Sequence, residues 1–183
     1  MSSGQVDEGI EAVRRALALS PEDPAPLSAM GRALFIGKGE FAAAAGFFAR
    51  ALALNPRAGW FWLQLSHCAS LAGDLVQARE AAEKAIALQE ASLSGHETIR
   101  IVGAYMRLGH AEALEGRDET AVGHFRRELA FLDQVDHALG HRILVELYTR
   151  LGGAEKRLGR ASEAALSLGR AVDIFETRVK LGA

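Results

Sequence analysis

Histidines are the residues of this chain whose spacing most resembles a metal-binding pattern. His137 and His141 are four residues apart, which places both on one side of a helix. The glutamate of an HExxH motif is missing, and no further cysteine or aspartate has a fixed spacing to the pair. We therefore interpret them as two partly exposed histidines, and the sequence predicts neither a metal site nor a cofactor.

Other residues that could support chemistry have ordinary structural explanations. His110 and His124 could meet across a helix pair and sense pH, although ordinary polar positions are the interpretation we favour. Cys68, next to Ala69, is expected to be a small core residue rather than a reactive thiol. No nucleophile, base and oxyanion donors can be placed together, and no GxxxxGK(S/T) motif occurs. We expect no enzymatic activity.

Composition and charge restrict the class of partner. The 183-residue chain is 49% hydrophobic and 24% charged, with a net charge of -2 at pH 7 and no long basic run. This composition is typical of a soluble globular protein, and it provides no electrostatic basis for binding nucleic acid or an anionic membrane. The amino terminus lacks the features of a signal peptide, and one cysteine cannot form an internal disulfide. We expect a cytoplasmic protein.

One stretch of the sequence occurs twice. RLGHAEALEGRDETA (residues 107–121) and RLGGAEKRLGRASEA (residues 150–164) align without gaps at a spacing of 43 residues. Both include the start of a pattern in which a glycine is followed five residues later by a small residue, and four residues after that by an apolar one. The leading glycines are Gly39, Gly73, Gly116 and Gly159, with a weaker first copy at Gly4. Self-similarity at this period indicates a repeat architecture.

The hydrophobic pattern within each copy is helical. In residues 41–54, apolar side chains recur at i, i+3, i+4 and i+7, which produces one apolar stripe along a helix. No stretch alternates apolar and polar residues for long, so no strand is predicted. Each leading glycine can adopt a positive φ at little cost and is expected to end one helix before an antiparallel second helix begins. The sequence thus predicts an all-α fold.

Taken together, these residues resemble the tetratricopeptide repeat, a 34-residue unit that reads W-x2-L-G-x2-Y…A-x3-F…P. The matching residues are Trp62 and Leu65, Leu108-Gly109 and Leu151-Gly152, Ala44 and Phe48, Ala121 and Phe125, and Pro21 and Pro56. The Tyr position departs from the pattern, with Phe35, Ala69, Glu112 and Glu155 in its place. The two 43-residue units are similar to the long variant of the family, with segments 91–101 and 134–144 supplying the extra length.

The resemblance implies a single domain over residues 1–183, a right-handed superhelical solenoid of about nine helices. A lone helix is expected at residues 6–19, followed by helix pairs at 25–54, 58–89, 94–133 and 136–181. In this family the first helix of each pair lines a concave groove that suits an extended peptide or a helix. The implied function is a non-catalytic protein–protein interaction scaffold whose partner protein or peptide the sequence does not identify.

Groove contacts are expected, by analogy with the family, from the first helix of each pair. They are Trp60, Leu63, His67, Met106, His110, Arg142, Lys156 and Arg157. Trp60 is the most informative, because an exposed aromatic side chain can anchor a partner, although it could instead pack on the N-terminal helix or the loop after Pro56. Where co-chaperone members grip a C-terminal carboxylate, this chain has Ala29, Ala33, Leu63 and His67, so that clamp is not expected.

Two alternative functions remain open. The last predicted helix carries more apolar surface than one neighbouring helix should cover, so the chain could self-assemble as a homo-oligomer. The residues expected to mediate this contact are Leu168, Val172, Phe175 and Val179. The half-repeat that contains Gly4 favours instead an accessory or regulatory domain of a larger enzyme or regulator, of which this chain would be a fragment.

Overall fold

A computed structural model of the chain describes residues 3–94, 101–133 and 141–179. These residues form nine α-helices and no strand, which confirms the all-α prediction for this part of the chain. The helices are α1 (Ser3–Leu19), α2 (Pro24–Arg32), α3 (Phe41–Leu54), α4 (Gly59–Ala72), α5 (Leu75–Ser94), α6 (Ala104–Leu114), α7 (Asp118–Leu132), α8 (His141–Arg157) and α9 (Ala161–Ile174). Two short π-helical segments, Ala33–Lys38 and Phe175–Val179, extend α2 and α9.

The chain divides into two compact units, Met1–Ile101 and Val102–Ala183. In the first unit each helix packs on the next, from α1 through α5. In the second unit α6 packs on α7, α7 on α8, and α8 on α9. The helices thus form the sequential antiparallel pairs that the repeat pattern predicts. The single domain and its helix-pair bounds stay predictions, and so does the long repeat variant, because residues 95–100 and 134–140 lie outside the described residues.

Glycines end the first helix of each pair, as predicted. Positive φ angles of 68°, 84°, 76° and 75° occur at Gly39, Gly73, Gly116 and Gly159. After three of them the next residue donates its N–H to a carbonyl five residues back, in the pairs Asp74 to Ala69, Arg117 to Glu112 and Arg160 to Glu155. This bond satisfies a carbonyl that the helix end would otherwise leave unpaired. The turn glycines are therefore confirmed at all four positions.

The weaker first copy of the pattern behaves differently. Gly4 lies inside α1, which begins at Ser3, so the turn predicted there is wrong. Glycine adopts helical φ and ψ as well as positive φ, and its entropic cost is small at the start of a helix. Gly4 therefore marks no turn within the described residues.

The crossing points within the pairs require residues with little or no side chain. A Cβ atom on Gly31 would lie 2.9 Å from Cε2 of Phe48, and one on Gly109 would lie 2.7 Å from Cε1 of Phe125. The same atom on Gly152 would lie 2.7 Å from Cγ of Leu168. Ser66 takes the equivalent place between α4 and α5, where its hydroxyl donates to the carbonyl of Ala78 at 2.8 Å. These positions explain the Leu-Gly pairs of the repeat as sites of close helix approach.

Each unit has its own hydrophobic core. The buried core residues of the first unit include Ala44, Phe48, Leu52, Leu65 and Cys68. Those of the second unit include Met106, Phe125, Phe131, Leu147 and Leu151. Cys68 has no exposed surface, which confirms its prediction as a core residue. No helix within the described ranges is long and apolar enough to cross a membrane.

A buried carboxylate holds the start of α6. Gly103 precedes the helix with a φ of 99°, and its N–H donates to Oε1 of Glu128 at 2.7 Å. The N–H of Tyr105 donates to Oε2 of the same side chain at 2.9 Å. Glu128 belongs to α7 and has no exposed surface, so one helix of the pair caps its neighbour.

Candidate partner-binding site

Trp60 lies on α4 with its side chain only partly packed. It is 42% exposed, and its ring lies edge-on to the rings of Phe48 and Phe61, with centroid distances of 5.8 and 5.7 Å. Trp62, two residues later, packs on the core, and its Nε1 donates to the carbonyl of Pro56 at 2.8 Å. Trp60 is thus held by aromatic neighbours while part of its ring faces solvent.

Arg32 of α2 lies over this ring. Its Cζ atom is 5.9 Å from the ring centroid of Trp60, within the range of a cation–π interaction. The Arg32 side chain is exposed, and no carboxylate among the residues that the structure describes forms an ion pair or hydrogen bond with it. The guanidinium therefore keeps hydrogen-bond donors for a group from outside the chain.

An apolar cleft adjoins Arg32. It has a volume of about 360 Å³ and lies between α1 and the C-terminal part of α2 with its π-helical extension. The cleft is lined by Val6, Gly9, Ala29, Arg32, Ala33, Ile36 and Gly37, of which Arg32 alone is charged. Ile36 is 66% exposed at its edge. We call Trp60, Arg32, Ile36 and this cleft the Trp60 surface.

The π-helical segment helps to present this surface. At the end of α4, the N–H of Asp74 donates to the carbonyl of Ala69, five residues back. After Gly39, the N–H of Glu40 donates instead to the carbonyl of Leu34, six residues back, at 3.1 Å. The extra residue widens the last turn before Gly39. Ile36 lies within this widened turn, and its large aliphatic side chain stays exposed.

Two other predicted contact residues follow Trp60 along α4. Leu63 is only 8% exposed. His67 is half-buried, with its ring 5.1 Å from that of Phe35. Contact between these side chains and a partner stays a prediction, and Trp60 contributes the large exposed apolar surface of this helix segment.

In the second unit, two arginines converge on one carboxylate. Nη1 of Arg107 donates to Oε1 of Glu146 at 2.9 Å, and Nε and Nη2 of Arg150 donate to the same oxygen at 3.0 and 2.8 Å. The side chains of Arg107 and Arg150 are 12% and 23% exposed. In the sequence, Arg107 and Arg150 are notable only as matching positions of the duplicated segment, 43 residues apart. This spacing predicts that they occupy equivalent helix faces, but it does not predict their shared carboxylate.

One buried histidine, His110, lies near this cluster, and a half-buried one, His124, is shifted in the same direction. His110 is 8% exposed, and burial, followed by the charges of Arg150 and Arg107, lowers its pKa to about 4, while Glu146 opposes the shift. Burial also lowers the pKa of His124, whose ring stacks on that of Tyr105 at 6.3 Å. Both side chains are therefore neutral at pH 7.

The remaining predicted groove residues differ in exposure. Met106 is 2% exposed and belongs to the core of the second unit. Lys156 and Arg157 are exposed, and Arg157 makes three hydrogen bonds of 2.7–3.0 Å with Asp118, which raise the pKa of Arg157. The side chain of Arg142 lies outside the described residues. Partner contact by these residues stays a prediction. To bind an acidic group of a partner, Arg157 would have to give up its ion pair with Asp118.

The C-terminal helix presents the apolar surface on which the self-assembly alternative depends. Leu166, Leu168, Val172 and Phe175 are 71%, 37%, 55% and 50% exposed. The side chain of Val179 lies outside the described residues. Self-association through these residues stays a prediction.

Metal ligands are not grouped in the parts of the chain that are described. No three histidine, cysteine, aspartate or glutamate side chains there lie close enough to hold a metal ion. The pair formed by His137 and the side chain of His141 lies outside the described residues.

Comparison with known proteins agrees with the repeat pattern. A family model described as tetratricopeptide repeat matches residues 35–94, which run from the π-helical segment through α3, α4 and α5. No curated protein sequence matches the chain significantly.

Solved structures with the same fold are distant in sequence. A thermophilic tetratricopeptide repeat protein of Thermus thermophilus, TTC0263, is 21% identical with a TM-score of 0.72, covering 97% of this chain and 87% of its own. Repeats of a putative kinesin light chain from Podosopora anserina are 19% identical with a TM-score of 0.72, covering 97% and 90%. A MamA fragment from Desulfovibrio magneticus RS-1 is 18% identical with a TM-score of 0.69, covering 96% and 88%. The chain therefore has the tetratricopeptide repeat fold.

Proposed function

Starting from this fold, we propose that the chain is a non-catalytic interaction module that binds a partner protein, and that the Trp60 surface is its docking site. Proteins with this fold generally act as protein–protein interaction modules. The observation that supports the site is a large aromatic side chain held by its neighbours and 42% exposed.

The packing of Trp60 suits it to anchor a partner. Tryptophan and arginine are enriched among the residues that dominate binding energy in protein interfaces. The rings of Phe48 and Phe61 and the guanidinium of Arg32 restrict the indole. A partner that covers it therefore loses less side-chain entropy than it would on a mobile residue.

Further predicted contacts belong to the proposal, and they are described separately for each unit. His67, along α4 from Trp60, would extend the docking site within the first unit. Lys156 and Arg157, together with Arg142, would contact acidic groups in the second unit. Contacts of the partner with Leu63, Met106 and His110 also belong to the proposal and would cover small areas, since each side chain is at most 8% exposed.

Replacing Trp60 with alanine is expected to weaken binding of the partner by about 30-fold, the effect of losing roughly 2 kcal/mol at an interface anchor. The full chain, immobilised on beads, would be incubated with source-cell lysate, and captured proteins would be identified by quantitative mass spectrometry. Affinity for the captured protein would then be measured with purified components.

Val76→Ala provides the matched control, because Val76 is 63% exposed on α5, outside the Trp60 surface. Thermal unfolding monitored by circular dichroism would show whether each variant is folded. If Trp60→Ala disturbs folding, Ile36→Ser replaces it, since Ile36 is more exposed. Equal capture by wild type and folded variants would exclude the Trp60 surface as the docking site.

Self-assembly is a second candidate function, favoured by the exposed apolar residues of α9. If it is correct, light scattering should give a mass above that of one chain that rises with concentration, and Val172→Asp should restore the monomer. Val76→Asp, which adds the same charge elsewhere, should leave the assembly intact. A wild-type chain that stays monomeric at all concentrations would contradict this function.

A further inference from the structure

We infer that the partner segment bound at the Trp60 surface carries an aspartate or glutamate next to an apolar side chain. The carboxylate binds Arg32, and the apolar side chain enters the adjoining cleft. This inference rests on the proposed function and specifies the chemistry of the partner.

Arg32 differs from Arg157 and Arg160, which lie at the end of α8 and just before α9. Arg157 is bonded to Asp118, and Arg160 to Glu119, so their charges are compensated within the chain. Arg32 has no such carboxylate among the described residues and stacks on Trp60 instead. A guanidinium on an aromatic face keeps the N–H groups at its edge available, and these match the two oxygens of a carboxylate. Charge complementarity therefore selects an acidic group.

The cleft determines what accompanies the acidic group. Apart from Arg32, its lining consists of Val6, Ala29, Ala33, Ile36 and two glycines. Its volume of about 360 Å³ lies at the lower end of the range for ligand pockets, which is large enough to admit an aliphatic or aromatic side chain. A polar group placed there would lose hydration among side chains of which Arg32 alone can form a hydrogen bond.

The extent of the surface favours a polypeptide segment. The exposed face of Trp60 lies on α4, whereas the cleft lies between α1 and α2, and Arg32 is the residue common to both. An occupant that covers the cleft, the guanidinium and the indole together must present three groups along its length. A short extended or helical segment provides this arrangement.

Selection from a random peptide library displayed on phage would test the inference, with the full-length chain as bait. Wild type should enrich peptides in which an acidic residue neighbours an apolar one. Arg32→Glu should instead enrich peptides with lysine or arginine at the same place. Arg50→Glu is the matched control, because Arg50 is also exposed and stacked on an aromatic ring, that of Phe47 at 5.2 Å, but lies outside the Trp60 surface.

Fluorescence anisotropy with one selected peptide then measures the effect. Changing its acidic residue to the corresponding amide should weaken binding to wild type by about fivefold to tenfold, as expected for a charged hydrogen bond at a partly exposed site. The same change should have no effect on Arg32→Gln, and the difference should shrink at high salt.

The possible results separate this inference from the proposed function. Peptides that need Trp60 but show no preference for acidic residues, or whose preference survives Arg32→Glu, would overturn the inference and leave the docking site standing. If wild type enriches only the peptides that Trp60→Ala also enriches, the Trp60 surface binds no peptide segment. That result would contradict both the docking site and the acidic–apolar preference.

Discussion

Replacing Glu128 with alanine should lower the free energy of unfolding of the second unit by about 2–5 kcal/mol. The carboxylate accepts the N–H groups of Gly103 and Tyr105, and its side chain has no exposed surface. Alanine would leave two buried N–H groups without these acceptors, and each unsatisfied group costs about 1–3 kcal/mol. Loss of a charge at the start of α6 removes a favourable interaction with the helix dipole as well.

Urea denaturation followed by circular dichroism would measure this change. Glu128→Gln keeps one acceptor oxygen and should lose less than alanine. Glu119→Ala provides the exposed comparison. Glu119 forms an ion pair with Arg160, and its side chain is 67% exposed, so its removal should cost far less than the removal of Glu128. Similar losses for Glu128→Ala and Glu119→Ala would contradict the capping role of Glu128.

Stability should also fall as the pH drops from 6.5 to 4, and His110 should account for about 3 kcal/mol of that loss. Burial and two arginines lower the pKa of His110 from 6.5 to about 4 in the folded chain. Between these values the unfolded chain binds a proton that the folded chain does not, so protonation stabilises the unfolded state. A shift of this size corresponds to about 3 kcal/mol, since each pKa unit is worth about 1.4 kcal/mol.

The contribution of His110 can be isolated by substitution. Unfolding free energies of wild type and His110→Gln would be measured by urea denaturation at several pH values between 4 and 8. The wild-type curve should be steeper between pH 6.5 and 4, and the residual slope of the variant should include His124, whose pKa is lowered in the same direction. Parallel curves would contradict the prediction.

Much of the fold could be predicted because its causes are local in the chain. Apolar residues at helical spacing predicted the helices, and a glycine between two helical runs predicted the turns at Gly39, Gly73, Gly116 and Gly159. The same reasoning failed at Gly4, where no described helix precedes the glycine. The candidate site was predicted less completely, because the hydrophobic pattern does not specify how much of the side chains of Trp60, Leu63 and Met106 is exposed.

Residues that act across long separations were beyond such reasoning. Glu128 caps α6 from a position 23 and 25 residues away from the groups it binds. Arg107 reaches Glu146 over 39 residues of sequence. Neither pairing leaves a periodic signature, since each depends on which side chains meet once the helices have packed.

The sequence by itself therefore determined the helices, the positive-φ turns and the likeness to the tetratricopeptide repeat, because φ preference and hydrophobic spacing act within one or two helical turns. Tertiary structure alone decided that Trp60 stays partly exposed beneath Arg32, that Met106 is buried, and that the charges of Arg107 and Arg150 act on His110. Burial and charge at these residues depend on which side chains the neighbouring helices bring into contact. The residue spacing within one helix does not specify those contacts, so it cannot predict their free energy.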